Sequence, residues 1–210
     1  NNNGGSFRPS MAVGANANPI IAWEDASCGS DFEIYVRRWN GTSWETLGSG
    51  SASGGGISNN GGDSKWPSVA IRADGSPLVA WEDSTPDDQE IYLLRWNGTS
   101  WVEMEANSAS GGGISDDDAG SYSLTPSLAA STDGASVVAW HDVSEGGGSE
   151  IFARRHIKPP CYLLETSHTG QGTNPVPAPA NSTDCPANRY NAGQAITLSA
   201  APTSGWRVTG

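Results

Sequence analysis

Residues 20–44 read IIAWEDASCGSDFEIYVRRWNGTSW, and this stretch decides the fold. It returns at residues 78–101 as LVAWEDSTPDDQEIYLLRWNGTSW and, altered, at 137–156 as VVAWHDVSEGGGSEIFARRH. Pro9, Pro67 and Pro126 lead the three copies at steps of 58 and 59 residues, and Trp23, Trp81 and Trp140 keep those steps. Self-similarity at such a period marks an array of one supersecondary unit.

Four short strand patterns recur in each copy. Proline introduces the first (PSMAV, PSVAI, PSLAA), a position where a strand tolerates it. The turns ANANP, ADGSP and TDGAS follow, and Asp-Gly is a strong hairpin signal. In the second strand Ile21, Val79 and Val138 share a face with the Trp two residues later. The third strand is EIYVRRW, EIYLLRW or EIFARRH. Asn40-Gly41 or Asn97-Gly98 then turns the chain into TSWETLG or TSWVEME, the fourth. No helical periodicity of useful length appears. The expected fold class is all-β, with β-propeller-type four-stranded antiparallel blades in three repeats plus a small C-terminal β domain. Known blades commonly run about 40–50 residues. The excess here is a Gly/Ser insert, SASGGGIS, at 51–58 and again at 108–115, whose Ile57 and Ile114 are expected to dock at a specific place.

The repeats are expected within residues 1–158 (about 9–66, 67–125 and 126–158), and a disulfide-linked β domain at 159–210. The pattern breaks at His156, where HIKPPCYLLETS replaces WNGTSW, and Lys158-Pro159-Pro160 reads as a stiff linker. The opening residues match the middle of the next copy, and the C-terminal pattern stops in mid-strand, so a piece of a longer chain is expected.

The 210 residues carry 11 Lys and Arg against 23 Asp and Glu, a net charge of −12. That charge repels a phosphate backbone, so nucleic acid is an unsuitable partner. No apolar run approaches the roughly 18 residues needed to span a bilayer. Glycine is abundant, with 27 residues, which suits short strands joined by many turns. Of three cysteines, Cys161 and Cys185 bracket a Pro/Asn/Gly-rich stretch and are expected to pair, favouring an oxidising, extracellular or cell-surface setting. Cys28 is left over, and no His/Cys spacing suits zinc.

Residues 9–156 resemble the β-propeller repeats of bacterial secreted and surface proteins, with units of the form PSxA…VAWxD…EIYVxRWNGxxW. Residues 161–210 resemble a bacterial surface repeat related to the divergent internalin B-repeat, through CYLL, YNAGQAITLSA and APTSGWRVTG. The first resemblance implies a fold that serves lectins, adhesins, enzymes and scaffolds alike. The second implies an extracellular stalk or spacer.

Acidic groups recur in every copy: Glu24-Asp25, Glu82-Asp83 and His141-Asp142, followed by Glu33, Glu90 and Glu150. An active site is singular, whereas blade-repeated groups are usually structural. Asp25, Asp83 and Asp142 are therefore expected to form ion pairs with Arg38, Arg95 and Arg155. Cofactors are expected to be absent, calcium being the one ion these loops would draw. The sialidase box S-x-D-x-G-x-x-W and the nucleophile motif G-x-S-x-G are both missing. Trp23, Trp81 and Trp140 read as core. Trp39, Trp44, Trp96 and Trp101 flank the Asn-Gly turns and are the candidate sugar-stacking rings. Asn40, Asn97 and Asn181 open N-x-[ST] glycosylation acceptors.

The functional expectation is a non-enzymatic extracellular structural or assembly module, such as a filament subunit, partnered by copies of itself or by further β modules. The alternative is a carbohydrate-binding adhesin that takes glycans, and the distant alternative a sialidase-like glycoside hydrolase.

Overall fold

The computed structural model describes residues 4–85, 88–115, 120–131, 134–143, 146–157, 161–182, 185–205 and 207. The 158–160 linker and the end of APTSGWRVTG lie outside them. The chain divides into two compact units, Asn1–Ile157 and Lys158–Gly210.

Unit one contains three antiparallel sheets. The first is β1 (Ser6–Val13), β2 (Pro19–Asp25), β3 (Glu33–Trp39) and β4 (Trp44–Thr46), in that order. The second repeats it with β5 (Ser64–Ile71), β6 (Pro77–Asp83), β7 (Glu90–Trp96) and β8 (Trp101–Glu103). Among the described residues the third has three strands, β9 (Tyr122–Ala130), β10 (Ser136–Val143) and β11 (Ser149–His156). The all-β expectation and its four-stranded antiparallel sheets are therefore observed.

The sheets stack face to face. Ile20, Ala22, Ile34 and Val36 of sheet one meet Val79, Trp81, Tyr92 and Leu94 of sheet two in one core. Leu78, Ala80, Ile91 and Leu93 on its other face meet Leu128, Val138 and Trp140 of sheet three. Sheet two thus buries both faces, which is why β6 and β7 are buried along their whole lengths. Sheet one leaves its far face open, with Met11 63% exposed.

Each first strand starts earlier than the proline suggests. Arg8, Trp66 and Thr125 adopt φ of 49°, 53° and 50°, immediately before Pro9, Pro67 and Pro126. The pairing register slips at the same point in all three strands. The proline therefore sits at a bulge within an edge strand, where its missing N–H costs no ladder bond.

The Gly/Ser inserts dock on their own sheet. Ser51 and Ile57 exchange backbone bonds with Val36 and Ile34 of β3, and Ser108 and Ile114 do so with Leu93 and Ile91 of β7. Each insert thus extends the three-residue fourth strand along the open edge. Gly56 and Gly113 make this approach, and a Cβ there would meet the Ile34 or Ile91 carbonyl at 2.2 or 2.3 Å. Ile114 is buried in the second core.

Unit two pairs β12 (Cys161–Leu163) with β14 (Arg189–Asn191), and β13 (Gly172–Ala178) with β15 (Thr197–Pro202). Cys161 and Cys185 are bonded, as expected, while Cys28 is free and exposed. Tyr190 is buried and donates its hydroxyl to the Pro179 carbonyl at 2.9 Å.

Candidate functional site

The bulges of the first strands build the candidate site. At the second and third bulges the left-handed residue turns its backbone N–H toward the preceding sheet. Trp66 donates to the Glu24 carboxylate at 3.1 Å, and Thr125 to the Glu82 carboxylate at 3.0 Å. Glu24 is fully buried and also carries an ion pair with Arg8. The Arg8 guanidinium in turn lies 3.9 Å from the centre of the Trp66 ring.

Around these groups opens a cleft of about 660 Å³, lined by Phe7, Arg8, Glu24, Phe32, Lys65, Trp66 and Glu82. Phe7 and Phe32 meet edge to face at 5.9 Å, and the Lys65 ammonium sits 4.9 Å from the Phe32 ring. Trp66 remains 41% exposed despite its cation partner. Burial pushes the Glu82 carboxyl above its usual range, against the Thr125 N–H and the charge of Arg8. The nearby charge of Glu24 pushes the same way as burial. The cleft therefore combines aromatic surface, two cations and two carboxylates that differ in environment. Such a set can stack on the apolar face of a sugar and accept from its hydroxyls.

Trp66 and Arg8 occupy the same place in the repeat, and Thr125 is the third occupant. The two positions before the repeated Pro-Ser differ in each copy, as FRPS, KWPS and LTPS, and that variation is the signal that sequence reasoning passed over.

The repeated acidic groups do structural work, but with other partners than expected. Asp25 accepts from the Ser6 hydroxyl, the Trp23 indole and the Ser27 N–H at 2.6, 3.0 and 2.9 Å. Asp83 repeats this with Ser64, Trp81 and Thr85 at 2.9, 2.8 and 2.9 Å. Asp142 accepts from Ser123 at 3.1 Å. The expected ion pairs with Arg38, Arg95 and Arg155 are corrected by the register. Those arginines lie opposite Ile20, Leu78 and Val137, five residues along the strand from the aspartates. Five strand residues span about 16 Å, too far for a salt bridge. Arg38 instead pairs with Glu45 at 2.6 Å.

The four candidate sugar-stacking rings divide into two pairs. Trp96 and Trp101 pack against sheet one, Trp96 being buried and the Trp101 indole N–H bonded to the Leu47 carbonyl at 3.0 Å. This pair is core rather than ligand surface, because the neighbouring sheet covers it. The equivalent Trp39 and Trp44, 5.8 Å apart, lie on the open face of sheet one, with Trp44 39% exposed. Neither pair lines the cleft.

Asn40 and Asn97 cap exposed turns, accepting from Thr42 and Ser43 or from Thr99 and Ser100. Asn181 is half-buried and donates its side-chain amide to the Ser182 and Cys185 carbonyls at 2.9 Å each. No group of three His, Cys, Asp or Glu suited to a metal ion occurs among the described residues.

No family model and no curated protein matches the chain. Among solved structures it is similar to a provisionally assigned glycosidase of Bacteroides thetaiotaomicron, at 13% identity and a TM-score of 0.42, over 71% of this chain and 50% of that one. It is also similar to the endo-1,5-α-L-arabinanase of Thermotoga petrophila, at 15% identity and a TM-score of 0.37, over 75% of this chain and 39% of that one. The chain therefore spans half or less of the length of these two proteins. Likeness at this level assigns no residue role here. Both neighbours are named as carbohydrate-cleaving enzymes, which stands against the expectation of a non-enzymatic structural or filament subunit.

Proposed function

We propose that unit one recognises carbohydrate in the cleft between Trp66, Glu24 and Glu82. The observation that supports this reading is an exposed Trp66 ring held between sheets beside two buried carboxylates. It sits at a position the repeat leaves free to vary. A sugar would lie against the aromatic surface, with its hydroxyls donating to the carboxylates and accepting from Lys65. Titration calorimetry against a glycan panel tests the reading. Trp66→Ala is expected to weaken binding at least tenfold, while Trp44→Ala leaves it intact. A panel with no binder, or an unaffected Trp66→Ala, sinks it.

A second reading, glycoside hydrolysis, is favoured by one specific feature. Of the two carboxylates in the cleft, Glu82 holds its proton above the usual range, as a general acid requires, while Glu24 is paired with Arg8. The two readings separate by release of reducing sugar. Turnover abolished by Glu82→Gln, with binding retained, favours the enzyme.

The stacking of repeated four-stranded sheets supports a β-propeller-type architecture in the manner of bacterial surface repeats, and unit two supports a stalk-like β-repeat module. On this reading further sheets, from a longer chain or from another copy, cover the open face of sheet one. The Cys161–Cys185 bond, and the lack among described residues of any helix able to cross a membrane, are compatible with a secreted protein. No bound cofactor is proposed.

A further inference from the structure

At the opposite end of the first strands, the hairpin turns converge on a second cleft, of about 370 Å³. Its walls include Asn16 and Asn18 of the first turn, Arg72 and Asp74 of the second, and Ser131 of the third. Arg72 is the unusual member. Only 4% of it is exposed, yet among the described residues its side chain donates one hydrogen bond, to the Gly134 carbonyl at 3.0 Å. The Asp74 carboxylate stands at 4.0 Å, the limit of an ion pair, and is itself 43% exposed. Among the described residues the Nε–H of Arg72 has no partner.

A guanidinium offers five donors in a planar fork. One carbonyl and one marginal ion pair leave most of that capacity unused, and an uncompensated buried charge is costly. A purely structural clasp on Gly134 would need neither the charge nor the fork. The repeat strengthens the point: Gly14 and Ser131 occupy the place of Arg72 in the other two copies, at steps of 58 and 59. The arginine is thus particular to the second copy.

We propose that this cleft binds a carboxylate, with Arg72 supplying a two-bond fork, and that the ligand is an acidic sugar. Arg38, also on the wall, is paired with Glu45, and the nearby charge of Asp74 disfavours a doubly charged phosphate over a singly charged carboxylate. The Asn16 and Asn18 amides suit ring hydroxyls, and the volume lies at the small-molecule end of ligand sites. The site stands apart from the Trp66 cleft and does not depend on how that cleft is read.

The test is a titration of the whole chain, ¹⁵N-labelled, with sodium glucuronate, glucose, acetate and chloride, following the Arg72 Nε–H resonance. Glucuronate is expected to shift it saturably, and glucose and chloride to leave it in place. Arg72→Gln is expected to weaken glucuronate binding at least tenfold, and Arg72→Lys, which keeps charge without the fork, by less. A shift no larger than chloride produces, an equal response to glucose, or unchanged binding by Arg72→Gln overturns the proposal. Acetate binding as tightly as glucuronate overturns the sugar assignment. If Arg72→Gln fails to fold, the wild-type resonance and Arg72→Lys still decide.

Discussion

The backbone N–H of Trp66 donates to the buried Glu24 carboxylate of the neighbouring sheet, and this one bond joins the local strain of the bulge to the packing of the stack. A non-glycine residue in the left-handed region costs on the order of 1–3 kcal/mol and persists only where its surroundings hold it. Glu24 is what holds Trp66. Glu24→Ala removes the acceptor and the partner of Arg8 together. The guanidinium left behind is part-exposed, so the expected loss is about 1–3 kcal/mol, at the scale of an unsatisfied buried donor. Thermal unfolding followed by circular dichroism measures it. An unchanged melting temperature would mean the bulge is held by Pro67 and the core alone.

Glu82 holds Thr125 as Glu24 holds Trp66, but burial raises its pKa. In the unfolded chain it loses its proton near the ordinary carboxylate value, 4.5, and in the folded protein only at higher pH. The stability tied to this proton is thus present below pH 4.5 and lost as pH rises through the folded value. Glu82→Gln keeps an acceptor oxygen without the charge. Relative to wild type it is expected to gain stability as pH climbs from 4 to 7 in urea unfolding. A constant difference across that range would show that Glu82 titrates alike in both states.

Much of this stack was legible in the sequence because side-chain alternation and turn chemistry are local. Val79 and Trp81 lie on one face of sheet two, as their spacing implied, and Asn40 and Asn97 cap their turns. The partners of Arg38 were not legible. Sharing a repeat with Asp25 says nothing about which end of a hairpin each residue occupies, and only the register separates them. The bulge was hidden for a similar reason. Proline marks a break in strand pairing, but whether strand also precedes it depends on the sheet against which it packs. The candidate cleft stayed hidden because its residues come from two sheets, and only the variation in the two residues before Pro9, Pro67 and Pro126 pointed to it.

The two tryptophan pairs give a prediction about sheet order. Trp96 is buried against sheet one, so Trp96→Ala is expected to cost about 3–5 kcal/mol, as for a large core aromatic. Trp101→Phe loses only the indole bond to the Leu47 carbonyl, about 1 kcal/mol. Trp44, exposed on the open face of sheet one, is expected to cost less than half as much as Trp96 when truncated. Chemical denaturation of the three variants measures the order. A Trp44→Ala loss equal to that of Trp96→Ala would show that something covers the open face in solution.

His156 stands where sheets one and two carry Trp39 and Trp96, and this substitution makes the third sheet sensitive to pH. The ring is buried, with Nδ1 3.5 Å from the Glu105 carboxylate and Nε2 without a partner among the described residues. Burial pushes its pKa below the ordinary 6.5; Glu105 pulls it up and Arg154, itself paired with Glu105 at 2.7 Å, pushes it down. With the folded value depressed, the unfolded chain takes up the proton first. Stability is therefore full above pH 6.5 and falls as pH drops from there through the folded value. A single proton limits this slope to about 1.4 kcal/mol per pH unit. His156→Trp restores the ring found in the other two sheets and removes the titration. Urea unfolding from pH 7.5 to 5.5 should show the wild type losing stability relative to the variant. If the wild type gains stability toward acid instead, Glu105 outweighs burial, and the histidine sits charged in the folded sheet.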